Sequence, residues 1–155
     1  MDPRAVLPPV SLRSPAGTAH PLPAVWADAP ALVCIGHSDC GTTRLALPFV
    51  DRIHRLTGSR GNVVAILQDE PETAGSFAGE LALELPVRLD EDPYPVAAAL
   101  SLTTVPTLLL VDADGRIASF SEGFRRADLE ALAARFGVAP PLFTAEDQAP
   151  ALRPG

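Results

Sequence analysis

Apolar and polar residues alternate along the chain in blocks that indicate strands followed by helices. ALVCIG, residues 31–36, and NVVAIL, residues 62–67, are two nearly uninterrupted apolar runs. Runs of this length beside proline or glycine are typical of strands that are buried on both faces of a sheet. Between them, the spacing of apolar side chains predicts an amphipathic helix over residues 42–56. Its apolar positions are Leu45, Phe49, Ile53 and Leu56.

The second half of the chain continues this alternation and closes with a hairpin. Its predicted elements are a helix over residues 71–85, a short strand over 86–89, a helix over 94–102, two strands within 105–123 and a helix over 127–137. Asp114-Gly115, between the two strands, is a strong signal for a β-hairpin. We therefore expect an α/β fold in which a central mixed sheet carries helices on both faces.

The two ends of the chain differ from its middle in composition. Residues 1–30 are rich in proline, which prevents long helices, and VSLRS followed by PAGT indicates a short edge strand or hairpin. Residues 138–155 are again rich in proline and are predicted to form a flexible, partly disordered tail. The sequence thus divides into an N-terminal extension (1–30), a central domain (31–137) and a tail (138–155).

Composition and charge exclude several classes of function. The chain has 155 residues, enough for one domain with a real core, and its net charge of −7 argues against binding to nucleic acid or to an anionic membrane. No apolar run approaches the ~20 residues of a membrane span. The start lacks the apolar core of a secretory signal, so we expect a cytoplasmic protein, or one outside the cytoplasm if a leader was removed.

The two cysteines set the candidate chemistry. Two cysteines are too few for a disulfide framework or a four-cysteine zinc site, and the histidines have no metal-ligand spacing to them, so no metal is expected. Cys40 stands where the first buried strand ends and the first helix begins. The thiolate is the reactive form of cysteine, and a helix N-terminus favours negative charge. We expect Arg44 and His37 to lower the pKa of Cys40 further, and Asp39 to oppose them.

Five pieces of sequence, in this order over roughly residues 6–137, resemble the thioredoxin superfamily and in particular its TlpA-like redoxins. They are the strand ALVCIG, CGTTR at the helix start, LPF within the helix, Val105-Pro106-Thr107 ahead of a strand with an Asp-Gly hairpin, and Gly123-Phe124. The resemblance implies a thioredoxin-like fold with an N-terminal strand or hairpin extension. It also implies a cis peptide bond before Pro106, with Val105 and Pro106 forming a substrate-side loop against the nucleophile Cys40.

The chain departs from the family at the second cysteine of Cys-x-x-Cys, which is Thr43. Without that cysteine, Cys40 could form mixed disulfides with protein thiols or glutathione but would need an outside thiol for release. Thr43 could hydrogen-bond the thiolate. No cofactor is expected, apart from glutathione as a possible co-substrate. Cys34 could act as a second thiol, although a cysteine within an apolar strand is more typical of a small buried hydrophobe.

Other interpretations remain open at this point. The chain could be a non-catalytic thioredoxin-fold binding module that has lost dithiol turnover. It also resembles monothiol glutaredoxins of the Cys-x-x-Ser type, some of which hold an iron–sulfur cluster with glutathione, but nothing else in the sequence supports a cluster. Peroxiredoxins are excluded because Val33 and His37 stand where their motif needs proline and threonine.

Overall fold

A computed structural model describes residues 1–58 and 62–155. The strands of this part of the chain are β1 (Ser11–Arg13), β2 (Ala19–Pro21), β3 (Ala31–Gly36), β4 (Asn62–Leu67), β5 (Val87–Leu89), β6 (Thr107–Val111), β7 (Ile117–Glu122), β8 (Phe124–Arg125) and β9 (Leu152–Arg153). The helices are α1 (Gly41–Thr57), α2 (Pro71–Glu80), α3 (Pro95–Leu100) and α4 (Arg126–Arg135), besides short 3₁₀ turns.

Within the described residues, seven strands form one mixed sheet in the order β2-β1-β5-β4-β3-β6-β7, and β8 and β9 pair separately. The buried strand β3 runs parallel to β4 and antiparallel to β6, and β4 runs parallel to β5. The hairpin of β6 and β7 closes one edge. At the other edge, β1 and β2 form the hairpin that VSLRS and PAGT predicted.

Apolar side chains fill both faces of the sheet. On one face, α1, α2 and α4 cover a core that includes Phe49, Phe77 and Phe124. On the other face, α3 and residues 1–30 cover a second core, into which Trp26 is packed. The all-apolar strand β3 serves both cores, because successive side chains of a strand point to opposite faces. Helices therefore lie on both faces, as the sequence predicted.

The second helix is shorter than the sequence predicted. Its apolar spacing indicated residues 71–85, but α2 ends at Glu80, and Ala82 has a left-handed φ of 51°. The backbone N–H groups of Glu84 and Leu85 both donate to the buried carboxylate of Asp51 in α1, at 2.8 Å each. These two bonds draw the chain away from the helical path, so Leu85 reaches the core without being part of a helix.

Residues 138–155 pack against the domain, whereas a flexible tail was expected. Leu142 and Phe143 are buried, and the ring centroid of Phe143 lies 4.6 Å from that of Phe49 and 6.0 Å from that of Phe124. The guanidinium of Arg126 lies over the Phe143 ring. The apolar pair at 142–143 supplies enough buried area to fix a segment whose proline content alone indicated disorder.

A charged contact fixes the same segment nearer its end. The two terminal guanidinium nitrogens of Arg52, Nη1 and Nη2, donate to the carboxylate of Asp147 at 2.8 and 2.9 Å. The backbone N–H of Thr144 donates to the same carboxylate at 2.7 Å. The hydrogen bonds from Arg52, followed by that from Thr144, hold the pKa of Asp147 well below its usual range. The carboxylate therefore binds the segment to α1 in its ionised form.

We predict that Asp147→Asn destabilises the fold by about 1 kcal/mol near neutral pH, the upper end for a partly exposed ion pair. Because the folded-state pKa is lowered, the contribution is fully present above the pKa of an unfolded aspartate, about 3.9, and is lost as the pH falls below it. Urea unfolding at several pH values should show the difference between variant and parent shrinking in acid. Glu146→Gln removes the same charge from the exposed neighbour, and an equal effect there would contradict the prediction.

Candidate active site

The sheet brings together two segments that are far apart in the sequence. Cys40 follows the end of β3, and Val105 precedes the start of β6. Because these strands are antiparallel neighbours with Ile35 opposite Thr107, the end of one lies beside the start of the other. The Cys40 thiol donates to the carbonyl oxygen of Val105 at 3.4 Å, and the peptide bond between Val105 and Pro106 is cis. We call residues 104–106 the proline loop.

Cys40 is also the N-cap of α1. Its backbone is extended (φ −89°, ψ 115°), and its carbonyl accepts the first helical hydrogen bond, from the N–H of Arg44 at 3.1 Å. Its sulfur accepts the backbone N–H of Thr43 at 3.4 Å. The sulfur thus takes the place that a hydroxyl or carboxylate oxygen usually holds, and satisfies one of the N–H groups left unpaired at a helix start.

This environment favours the thiolate. Partial burial of the sulfur raises the pKa of Cys40, but hydrogen bonds from the N–H and hydroxyl of Thr43, and then from Thr42, outweigh it, so the pKa lies below its usual value. The predicted contribution of Arg44 is wrong. Its guanidinium pairs with Glu80 and lies 5.0 Å from the ring centroid of Phe77, so it is engaged with α2. Hydrogen-bond donors, rather than cationic side chains, stabilise the charge.

Thr43 fills a closed space beneath the sulfur. Its side chain is fully buried, and its hydroxyl oxygen accepts the N–H of His37 at 3.4 Å. The side chain lies so near the end of β3 that a Cβ at Gly36 would come within 2.5 Å of the Thr43 methyl carbon. Glycine at 36 is therefore needed for the threonine to take this position.

A buried carboxylate holds the loop that carries Cys40. Asp69, just after β4, accepts the backbone N–H of Ser38 at 3.1 Å and its hydroxyl at 2.5 Å. Within the loop, the N–H of Asp39 donates to the Nδ1 of His37 at 3.1 Å. Asp69 could not be recognised from the sequence, because it belongs to an acidic run, LQDEPE, of the kind that is usually exposed. Nor could Thr42, which the Cys-x-x-Thr spacing does not single out.

Cys34 lies in a different environment from Cys40. It is fully buried in β3, opposite Ala65 of β4 and Leu108 of β6. Burial raises the pKa of its thiol to about 12, so the thiolate is scarce at neutral pH. Both cysteines are free thiols in the structure. Whether Cys34 can serve as a second thiol stays a prediction.

An open hollow of about 550 Å³ lies beside the loop that carries Cys40. The residues that line it include His37, Asp39, Glu70, Asp92 and Tyr94. Three of these five carry carboxylates, so the approach to the site from this side is acidic.

Comparison with known proteins shows the fold. The sequence matches no protein-family model and no curated protein. Among solved structures, a protein from Chlorobium tepidum assigned as the thiol:disulfide interchange protein DsbE is 24% identical, with a TM-score of 0.75 over 87% of this chain and 95% of that one. The thioredoxin domain of a thiol-disulfide oxidoreductase from Bacteroides vulgatus is 18% identical, with a TM-score of 0.74 over 88% and 98%. A secreted disulfide oxidoreductase of Mycobacterium tuberculosis is 15% identical, with a TM-score of 0.69 over 84% and 96%.

These similarities confirm the predicted thioredoxin-like fold, which this chain shares with thiol-disulfide oxidoreductases. In residues 1–58 and 62–155, no helix has the length and apolar content needed to span a bilayer. In the same residues, no three side chains of histidine, cysteine, aspartate or glutamate are grouped so that they could hold a metal ion.

Proposed function

We propose that this protein is a thiol-disulfide exchange protein that works through Cys40 alone. The observation that carries the proposal is the position of one sulfur, which caps α1 and contacts the carbonyl of Val105. A thiolate stabilised at a helix start is a nucleophile suited to disulfides. The proline loop beside it offers backbone groups with which an extended substrate peptide can pair.

The exchange proceeds in two steps, formation of a mixed disulfide with Cys40 and its release. The Cys40 thiolate attacks one sulfur of a substrate disulfide, so that a new S–S bond forms, the old one breaks and the other sulfur leaves as a thiolate. A thiolate from outside then attacks the substrate sulfur of this mixed disulfide and frees Cys40 again. Thr43 cannot perform the second attack, but its N–H and hydroxyl stabilise the thiolate that both steps need.

The acidic hollow favours protein disulfides over glutathione as substrates. Glutathione carries two carboxylates and one amine, so it is a net anion and is repelled by Asp39, Glu70 and Asp92 at the approach. An extended segment of a protein meets the proline loop through its backbone and need not carry that charge. The partners of this protein are thus protein thiols and disulfides, and a small thiol releases them from Cys40.

We also propose that the protein acts outside the cytoplasm, the second of the two locations considered from the sequence. A protein of the same fold, from Mycobacterium tuberculosis, is secreted. Oxidising compartments are also where substrate disulfides persist. Fractionation of cells that express the complete gene, with antibody detection, tests this location, and recovery in the cytosol alone would contradict it.

The exchange itself is tested with insulin as the protein disulfide and a small thiol as the releasing agent. The parent chain should accelerate insulin reduction and, when the small thiol is withheld, form a mixed disulfide that peptide mass mapping places on Cys40. Cys40→Ser should abolish both, whereas Cys34→Ala should retain most of the rate, because the thiol at 34 is sealed in the core. A parent chain without exchange activity, or a Cys40→Ser variant that retains it, would replace this proposal with that of a binding module.

A further inference from the structure

The last residues of the chain form an additional strand at the candidate active site. Residues 151–155, here the covering segment, include β9, in which Arg153 lies opposite Phe124 of β8. The N–H of Arg126 donates to the carbonyl of Ala151 at 3.1 Å and extends the pairing by one residue. The segment is therefore held through its backbone, as a bound peptide strand would be.

The covering segment contacts the start of α1. The hydroxyl of Thr42 donates to the carbonyl of Pro154 at 2.6 Å. The guanidinium of Arg153 lies over Gly41, because a Cβ built there would come within 2.6 Å of its Nη2 atom. Both contacts are to the two residues that directly follow Cys40. The segment thus crosses the first turn of the helix that the sulfur caps.

The same segment also contacts the proline loop. A Cβ built on Gly155 would overlap the carbonyl oxygen of Val105 and the methyl carbon of Thr104. The carbonyl of Val105 is the one that accepts the Cys40 thiol. The backbone at Gly155 therefore lies where a substrate peptide would have to come to pair with this loop.

We propose that the covering segment is an intramolecular competitor that occupies the substrate groove between α1 and the proline loop, and that a substrate must displace it to reach Cys40. This inference rests on the proposed function for what the groove binds. The occupant is identified by the structure itself, as residues 151–155 of this chain.

The way in which the segment is held makes displacement feasible. It is tethered by Phe143, in the core, and by Asp147, paired with Arg52. A short tether gives an effective concentration in the millimolar range, so the segment outcompetes dilute peptides. Yet residues 151–155 are all exposed, and little apolar area is lost when they leave. Backbone pairing with residues 124–126 holds its first three residues, and the Thr42 hydroxyl holds Pro154.

Alkylation kinetics of Cys40 test the inference. In a variant lacking residues 151–155, a bulky maleimide should react about tenfold faster than with the parent, while iodoacetamide, which is small, should gain less. Alkylation rates are compared at a pH well above the pKa of the Cys40 thiol, so that a change of this pKa does not alter the fraction of thiolate. Leu152→Ser is the matched control. It alters an exposed side chain and leaves the backbone pairing in place, so it should behave like the parent.

Two further arms make the result decisive. Arg153→Pro, in the chain of residues 1–155, removes an N–H from the pairing strand and the guanidinium from Gly41, so its Cys40 should also react faster than the parent's with the bulky maleimide. The peptide Ala-Pro-Ala-Leu-Arg-Pro-Gly, at millimolar concentration, should slow alkylation of the shortened variant. The same peptide with proline in place of its arginine should not, because it lacks that N–H of the pairing strand. Circular dichroism checks that the shortened variant and Arg153→Pro are folded. If neither of them reacts faster with the bulky maleimide than the parent, the inference is overturned. Because alkylation needs no exchange activity, this outcome is separate from failure of the insulin assay.

Discussion

Thr43→Cys is expected to turn the protein into a dithiol exchange protein, with insulin reduction faster by on the order of a hundredfold or more. The backbone N–H of residue 43 already lies 3.4 Å from the Cys40 sulfur, and residues three apart face each other on a helix. A thiol there attacks the mixed disulfide from within the molecule, which replaces a slow encounter with an outside thiol. Cysteine is also close to threonine in size, so the buried space beside Gly36 accepts it.

Mass spectrometry and two controls accompany this experiment. The oxidised variant should lose two hydrogens as a monomer, with the new disulfide mapped to residues 40 and 43. Thr43→Val keeps the shape but has no thiol, so it should remain as slow as the parent or slower. In the Cys40→Ser background, Thr43→Cys should be inactive, since the attacking sulfur is gone. An oxidised Thr43→Cys chain in which both thiols stay free would show that the geometry at the helix start differs from the one described.

Phe124→Ala is expected to destabilise the fold by about 3–5 kcal/mol, the usual range for a phenylalanine removed from a core. The ring is fully buried, and its centroid lies 5.8 Å from that of Phe49 and 6.0 Å from that of Phe143. Its loss leaves a cavity at the point where α1, α4 and the segment after α4 meet. Denaturant unfolding followed by circular dichroism measures the change.

Phe120→Ala provides the matched comparison, because Phe120 lies in β7 and is 40% exposed. The same chemical change there should cost less than about 1 kcal/mol, as is usual for surface positions. Equal losses at the two positions would mean that the aromatic cluster is not a significant part of the core. A further consequence of Phe124→Ala is loosening of the segment that Phe143 anchors, so the variant should also expose Cys40 to a bulky maleimide.

The elements that carry the site were predictable because their signals are local. The strands at 31–36 and 62–67 have the bounds that their apolar runs indicate, since flanking proline and glycine limit each run. Cys40 at a helix start follows from the position of a periodic pattern after such a strand. The contact with Val105 did not follow from periodicity, and only the resemblance to thioredoxins placed the two segments together.

The features that were missed depend on contacts between distant segments. The sequence around Asp69 is typical of a solvated acidic loop, but the end of β4 places its carboxylate where it accepts the Ser38 hydroxyl. The predicted helix over residues 71–85 ends early because a carboxylate on α1 binds the N–H groups that would continue it. The covering segment has few apolar side chains and one proline, so nothing in its composition indicates that it would lie across the first turn of α1.

The double role of Cys40 links redox state to folding. A thiolate is a strong hydrogen-bond acceptor for the N–H of Thr43, whereas the neutral sulfur of a mixed disulfide is a weak one. Because the thiol pKa is lowered in the fold, the thiolate stabilises the protein fully above the pKa of an unfolded cysteine, about 8.5, and this gain disappears as the pH falls through the folded-state pKa. Every adduct therefore weakens the beginning of the longest helix. The chain recovers that stability when the adduct is discharged, so the contact that opposes formation of the mixed disulfide favours its release to the same extent.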